Sequence, residues 1–183
     1  MAGSVTAVPE ASYVIALNGG YGVGKSSALD HVGDLLAEVG RPFSLMDVDW
    51  FHRSWPSAAD DPENVLTEAQ NMSAVWVNYQ RAGPRQLVLS GVVASRHDRE
   101  RYERVFALPG RSVRLEASAA VTEAHLRRRY TEHQSRSLDW HLERHEDLAR
   151  QLAASDLDEL IINTENQVPR AVAKLVLDHF QLL

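Results

Sequence analysis

The amino-acid sequence predicts an α/β fold built on a parallel sheet. Three observations lead there. Short apolar runs alternate with stretches of helical periodicity from end to end. The runs are apolar at consecutive positions, as expected of strands covered on both faces, not at every second position as in a half-exposed strand. The first run also leads straight into a glycine-rich loop followed by a helix.

The elements follow in order. Tyr13 to Leu17 is a short apolar strand ending at Asn18-Gly19-Gly20. From Ser26 to Val39, the apolar residues Leu29, Val32, Leu35, Leu36 and Val39 recur at helical spacing, and Gly40 and Pro42 stop the helix. Phe43 to Val48 reads as a second strand. Trp50 to Pro62, with two prolines and Asp60-Asp61, reads as loop. Glu63 to Arg81 is helical, with Val65, Ala69, Met72, Trp76 and Tyr79 on one stripe, ended by Gly83-Pro84. Gln86 to Val93 holds a third strand, His97 to Val105 a charged helix, and Pro109-Gly110 a turn. Ser112 to Glu116 is a fourth strand and Ala119 to His133 an arginine-rich helix. Ser135 to Ser137 reads as a break before a helix over Leu138 to Ala153. Glu159 to Ile162 is a fifth strand, and Pro169 to Phe180 closes the chain. There is no repeat and no linker, so residues 13–183 read as one domain. Met1 to Ser12, which lacks Lys and Arg, reads as a loose N-terminal tail and not as a secretory signal.

Bulk composition narrows the function classes. A chain of 183 residues that is 44% hydrophobic can bury a core without staples. It has no cysteine, which removes disulfides, thiolate metal sites and thiol nucleophiles, and fits a cytoplasmic location. A formal net charge of −6 disfavours nucleic acid and anionic membrane as partners. No apolar run reaches the roughly 20 residues that span a bilayer.

The strongest chemical signal is Gly19-Gly20-Tyr21-Gly22-Val23-Gly24-Lys25-Ser26, which matches G-x-x-x-x-G-K-[ST] between a buried strand and an amphipathic helix. Glycines let the backbone turn tightly and aim several N–H groups inward. Those groups and the helix N-terminus cradle anionic phosphates, with Ser27 next in line. Lys25 reaches the β- and γ-phosphates, and the Ser26 hydroxyl is placed for Mg²⁺. The expected ligands are therefore ATP and Mg²⁺.

The second strand runs into Asp47-Val48-Asp49-Trp50-Phe51-His52-Arg53. Strand carboxyl ends line the ligand crevice of a parallel sheet, and residues two apart on a strand point the same way. One carboxylate is expected to accept the proton of an attacking hydroxyl, and the other to assist the metal, for which Asp47 is the candidate. The third strand ends in Ser90-Gly91 without the usual acidic metal ligand, which raises the importance of Asp47 and Asp49. His52, Arg53 and Arg96 are candidate contacts for the acceptor. Asn64, Asn71 and Asn78, seven apart and so within about 20° per step, read as an exposed, solvated face.

Arg127, Arg128 and Arg129 close one helix and Arg136 lies in the expected break. Phosphoryl transfer needs positive charge on the transferring oxygens, and a mobile lid near 127–140 supplies it while excluding water. Arg129 and Arg136 are the candidates, with the remaining arginines pairing with Glu123, Glu132 or solvent. His141 and His145 stand at i and i+4. The order is not H-E-x-x-H and no further ligand is evident, so they read as part of a charged, solvent-facing helix.

With these residues in view, the strand–loop–helix start, Asp47-x-Asp49-x-x-His52, the arginine-rich lid and Ile162-Asn163-Thr164 resemble the small P-loop kinases of the gluconate kinase, adenylylsulfate kinase, shikimate kinase and chloramphenicol phosphotransferase types. The resemblance implies a three-layer P-loop NTPase fold. Its five-stranded parallel sheet has the order 2-3-1-4-5, helices on both faces and a short helical lid. It implies ATP-dependent phosphorylation of a hydroxyl on a small molecule, with Asp49 meeting that hydroxyl and Asn163 and Thr164 beginning the loop near the adenine. Two departures stand out: the glycine pair of shikimate kinases after the third strand is absent, and so are the acidic residues that follow that strand in chloramphenicol phosphotransferases. Competing expectations are a nucleoside or nucleotide kinase, with Trp50, Phe51 and Trp55 stacking a base, and a nucleotide-dependent regulatory switch. The absence of N-K-x-D argues against a GTPase.

Overall fold

A computed structural model describes residues 13–183; the expected tail, Met1 to Ser12, lies outside the described residues. The strands are β1 (Val14–Gly19), β2 (Phe43–Asp47), β3 (Gln86–Ser90), β4 (Gly110–Glu116) and β5 (Leu160–Asn163). They form one sheet in the order β2-β3-β1-β4-β5. Every pairing is parallel. The helices are α1 (Lys25–Glu38), α2 (Val65–Gln80), α3 (Arg96–Phe106), α4 (Ala119–Arg129), α5 (Ser135–Ser155) and α6 (Pro169–His179).

Alternation along β1 explains why that strand is apolar throughout. Ile15 and Leu17 face a core with Leu29, Val32 and Leu36 of α1 and Val172, Val176 and Leu177 of α6. Val14 and Ala16 face a second core with Met72 and Trp76 of α2 and Tyr102 and Phe106 of α3. All six residues of β1 are buried, as a central parallel strand requires.

Most element boundaries match the sequence reading to within two residues; three regions differ for local reasons. β3 stops at Ser90 instead of running to Val93, because the buried Asn18 side chain takes over the backbone of Val93: Asn18 Nδ2 donates to Val93 O (3.0 Å) and Asn18 Oδ1 accepts from Val93 N (2.9 Å). Val48 to Trp50 winds into a single 3₁₀ turn, capped by Asp47 Oδ1, which accepts from Asp49 N at 3.2 Å. The break between α4 and α5 lies at residues 130–134, and Ser135 to Ser137 are helical. Tyr130 is extended, and Thr131 with Gln134 forms a capping box that starts the next helical segment. The start signal is thus Thr131-x-x-Gln134, four residues upstream of the serine-rich stretch that reads as a break.

No described helix is long and apolar enough to cross a membrane.

Candidate active site

The phosphate loop joins β1 to α1 across Gly20 to Gly24. Two glycines make its shape possible. Gly22 has φ +78°, and a Cβ there would lie 2.7 Å from Thr122 O on α4. Gly24 has φ +92° and caps α1, and nothing lies within 4 Å of where its Cβ would stand. The first glycine lets α4 approach the loop, and the second keeps the helix N-terminus open toward a ligand. The loop is braced from three sides. His125 Nδ1 on α4 donates to Gly22 O (2.8 Å), Thr164 Oγ1 donates to Val23 O (3.2 Å), and Asn18 Oδ1 accepts from Gly19 N (2.9 Å). Asn18 Nδ2 also donates to Asp158 Oδ1 (3.0 Å), so one buried amide fastens the end of β1 to Val93 beyond β3 and to the approach to β5.

A cavity of about 690 Å³ opens over this loop. Tyr21, Gly22, Val23, Gly24, Lys25, Ser26, Ser27, Asp49, Arg129 and Thr164, all expected site residues, line it. Arg128, His125, Gln167 and Pro169 also line it. Lys25 Nζ donates to Gly19 O (2.8 Å) and Gly20 O (2.9 Å) at the loop's base. Burial lowers its pKa from the ordinary lysine value to about 8; the charges of Asp49 and Asp47 oppose that shift and Arg129 adds to it. Ser26 Oγ donates to Asp47 Oδ2 at 2.6 Å. That hydroxyl–carboxylate pair is an oxygen donor set of the kind Mg²⁺ takes. Asp47 pairs in register with Ser90, so the acidic residue missing from the end of β3 is supplied one strand over, on β2.

The remaining expected residues are placed as follows. Gly19 and Gly20 form the base that holds Lys25, and Gly20 also faces a second cavity of about 620 Å³ beside the loop. Asn163 lines that second cavity, and its side chain accepts from Glu165 N (2.8 Å), so only Thr164 of the Asn-Thr pair borders the phosphate-loop cavity. Arg53 Nε donates to Asp49 O (3.0 Å) and its guanidinium stacks 4.4 Å from the Trp50 ring. His52 Nδ1 lies 3.0 Å from Glu68 Oε2. Arg96 is exposed at the first position of α3, and Arg136 is exposed in the first turn of α5, outside the cavity walls. Arg127 pairs with Glu123 at 2.7 Å, as its spacing of four predicts.

Two expectations are corrected. Asn64 and Asn71 are not a merely solvated face: their Nδ2 atoms donate to Ser54 O (3.0 Å) and Phe51 O (2.9 Å), pinning the loop after Asp49 to α2. His141 and His145 do not face solvent either. His141 stacks edge-on against Tyr21 of the phosphate loop (4.6 Å between ring centroids) and His145 is buried, because this face of α5 turns toward the loop. Among the described residues, no group of three or more His, Asp or Glu side chains forms a metal cluster. The residues that sequence reasoning missed are Asn18, Glu68, Arg101, Tyr102 and His125. They act through partners 16 to 140 positions away, which no local spacing reveals.

The fold is one found in solved small-molecule kinases, among them a sugar kinase, a shikimate kinase, an APS kinase and a gluconokinase. The chain is similar to the tunicamycin resistance protein of Deinococcus radiodurans, with a TM-score of 0.64 and 17% identity over 94% of this chain and 97% of that one. It is similar to a sugar kinase from Janibacter sp. HTCC2649, with a TM-score of 0.59 and 18% identity over 93% and 95% of the two chains. It is also similar to the APS kinase of Mycobacterium tuberculosis solved with AMPPNP and APS, with a TM-score of 0.59 and 16% identity over 94% and 99%. At such identities the likeness speaks for the shared fold. No family model matches the chain, and no curated protein sequence matches it.

Proposed function

We propose that the protein is an ATP-dependent phosphotransferase that moves the γ-phosphoryl group to a hydroxyl of a small molecule. One observation carries this reading: the glycine loop with its lysine, Asp49, and Ser26, whose hydroxyl is bonded to Asp47, line one cavity. A binding protein needs the loop alone; a second carboxylate at the same cavity suits a reaction on a hydroxyl.

In this reading the backbone N–H groups of Gly22 to Ser26 hold the phosphates, and the Lys25 ammonium leaves the Gly19 and Gly20 carbonyls for the β- and γ-oxygens. Ser26 and Asp47 would hold Mg²⁺, which when bound neutralises phosphate charge. Asp49 accepts the proton of the acceptor hydroxyl as its oxygen attacks phosphorus in line, and ADP departs with the bond to its β-phosphate oxygen broken. Arg129 on α4 compensates charge on the transferring oxygens, and closure of the α4–α5 hairpin excludes water. Arg128 and the Thr164–Pro169 segment form the wall that would receive the adenine.

Product analysis tests the reading. ADP release should be slow with Mg²⁺-ATP alone and rise with one member of a panel of sugars, sugar acids, hydroxy acids and nucleosides, with phosphate recovered on that compound. Slow hydrolysis unchanged by every acceptor would instead mark a nucleotide-dependent switch.

A further inference from the structure

The base of the phosphate loop rests on a buried polar chain that the phosphoryl-transfer chemistry above does not use. It begins where β1 leaves the sheet. The β1–β3 pairing closes with Gly91 N donating to Leu17 O (3.2 Å), and beyond that point the Asn18 side chain takes the place of backbone against Val93. Asn18 is 0% exposed, and its amide has four hydrogen-bonding positions, all of them used. Oδ1 accepts from Val93 N and Gly19 N, and Nδ2 donates to Val93 O and Asp158 Oδ1. On its other side Gly19 pairs with Leu115 of β4, and a Cβ on it would lie 2.5 Å from Leu115 O. Held between these two neighbours, Gly19 offers its carbonyl, next to that of Gly20, to Lys25 Nζ.

The partners fix which way round the amide sits. Turned over, it would aim Nδ2 at the N–H groups of Gly19 and Val93, and Oδ1 at Val93 O and the Asp158 carboxylate, so four hydrogen bonds would become four like-with-like contacts. An ionised carboxylate accepts and never donates, which makes Asp158 the side-chain partner that enforces the observed sense. Asp158 lies deep, with a side chain 1% exposed, and its second oxygen stands 3.7 Å from Nη1 of Arg114, itself 9% exposed. Arg114 Nη1 also donates to Leu152 O (2.8 Å). Packing does not call for such a pair, since apolar residues of like volume are as stable or more so at buried sites. What the pair supplies is a fixed acceptor beneath Asn18. Neither Asn18 nor Asp158 lines the phosphate-loop cavity, so whatever they do for a nucleotide passes through the loop.

Resting on the kinase reading, we propose that Asp158 and Asn18 are positioning residues: the carboxylate orients the amide, the amide holds Gly19, and Gly19 seats the Lys25 ammonium at the base of the phosphate loop.

The test compares three variants with the parent chain. The double variant Arg114→Met/Asp158→Leu removes both buried charges at once and keeps the space filled. Asn18→Asp keeps the shape of the side chain and loses its two donors. Asp158→Asn keeps an oxygen that can accept from Asn18. The chain has two lysines, so carbon-13 lysine labelling gives two Cε signals, with the exposed Lys174 as internal standard. In the double variant and in Asn18→Asp, the Lys25 signal should move toward that of Lys174. Amide exchange at Gly19 and Val93 should quicken about tenfold or more relative to the rest of β1 and β3, and the Kd for Mg²⁺-ATP should rise about tenfold, the scale of one good hydrogen bond. Asp158→Asn should stay within about threefold of the parent on the last two measures. A purely structural role would instead lower Tm and quicken exchange across the sheet with no selective change at Gly19, Val93 and Lys25. That pattern overturns the proposal, as do parent-like values in both disruptive variants or equal damage from Asp158→Asn. None of these measurements needs an acceptor. A parent chain that binds Mg²⁺-ATP but transfers phosphate to nothing loses the kinase reading and keeps this one; a chain that phosphorylates its acceptor while Lys25 ignores Asn18→Asp does the reverse.

Discussion

Gly22 and Gly24 carry similar positive φ angles two residues apart, yet alanine should do different damage at each. At Gly22 the new Cβ would stand 2.7 Å from Thr122 O and 3.3 Å from Leu126 Cγ. The first is backbone of α4 and cannot swing aside, so the loop or the helix must move. Adding the cost of a left-handed alanine, about 1 kcal/mol, to the strain of displacing a packed helix, about 1–3 kcal/mol, gives a loss of roughly 2–4 kcal/mol. For a chain of this size that lowers Tm by about 5–15 °C. At Gly24 the Cβ meets nothing, so only the conformational cost of about 1 kcal/mol remains, or roughly 2–4 °C. That methyl, however, borders the cavity where phosphate would lie against the start of α1. Gly24→Ala should therefore keep a nearly native melting curve while losing at least tenfold in Mg²⁺-ATP affinity, about 1.4 kcal/mol. Calorimetric melting alongside nucleotide titration separates the two effects. A Gly24→Ala protein that binds ATP normally but melts as early as Gly22→Ala would refute the assignment of this loop as the phosphate cradle.

Three further outcomes follow from the same geometry. Lys25→Ala should abolish productive ATP binding in isothermal titration, because among the described residues it removes the only lysine lining the cavity over the loop. Asp49→Asn should leave ATP affinity roughly intact and cut turnover by about two or more orders of magnitude, the scale for losing a positioned base; full activity in steady-state assays would remove that role. Glu159 lies away from the site, where hydrogen bonds from Arg111 hold its pKa below the usual glutamate value despite partial burial. Its folded pKa is depressed, so its contribution is present above the unfolded pKa and disappears as pH falls through the folded one. The pair is about a third exposed, so Glu159→Gln should cost under about 1 kcal/mol at pH 7, and the Tm gap to the parent chain should close at strongly acidic pH.

How much of this was legible beforehand depends on the distance over which each residue acts. The phosphate loop is a local device: eight consecutive residues contain the turn, the amides, the lysine and the hydroxyl, so a pattern reads it fully. The sheet was legible as a parallel one because β1 and β3 are apolar on both sides, which is a property of each strand alone. Asp47 and Asp49 were legible as a pair, but their division of labour was not. The division proposed above rests on the 2.6 Å contact between Ser26 and Asp47, across 21 positions, and on a 3₁₀ turn that carries Asp49 on to the cavity wall. Asn64 and Asn71 show the opposite failure: their spacing of seven put them on one face, and only the folded loop shows what that face holds.

Glu68 marks the limit of a pattern reading. In sequence it is one charged residue in the first turn of an amphipathic helix, where an acidic side chain is expected on helix-dipole grounds alone. The fold turns it inward, because α2 packs on α3 and the two helices meet around Arg101 and Tyr102. A buried carboxylate can then serve an exposed loop 16 positions earlier, through His52. The loop that follows Asp49 is therefore not held by its own residues alone. In the proposed kinase reading that loop borders the acceptor, so changes of specificity should be sought at the junction of α2 and α3 as much as in the loop itself.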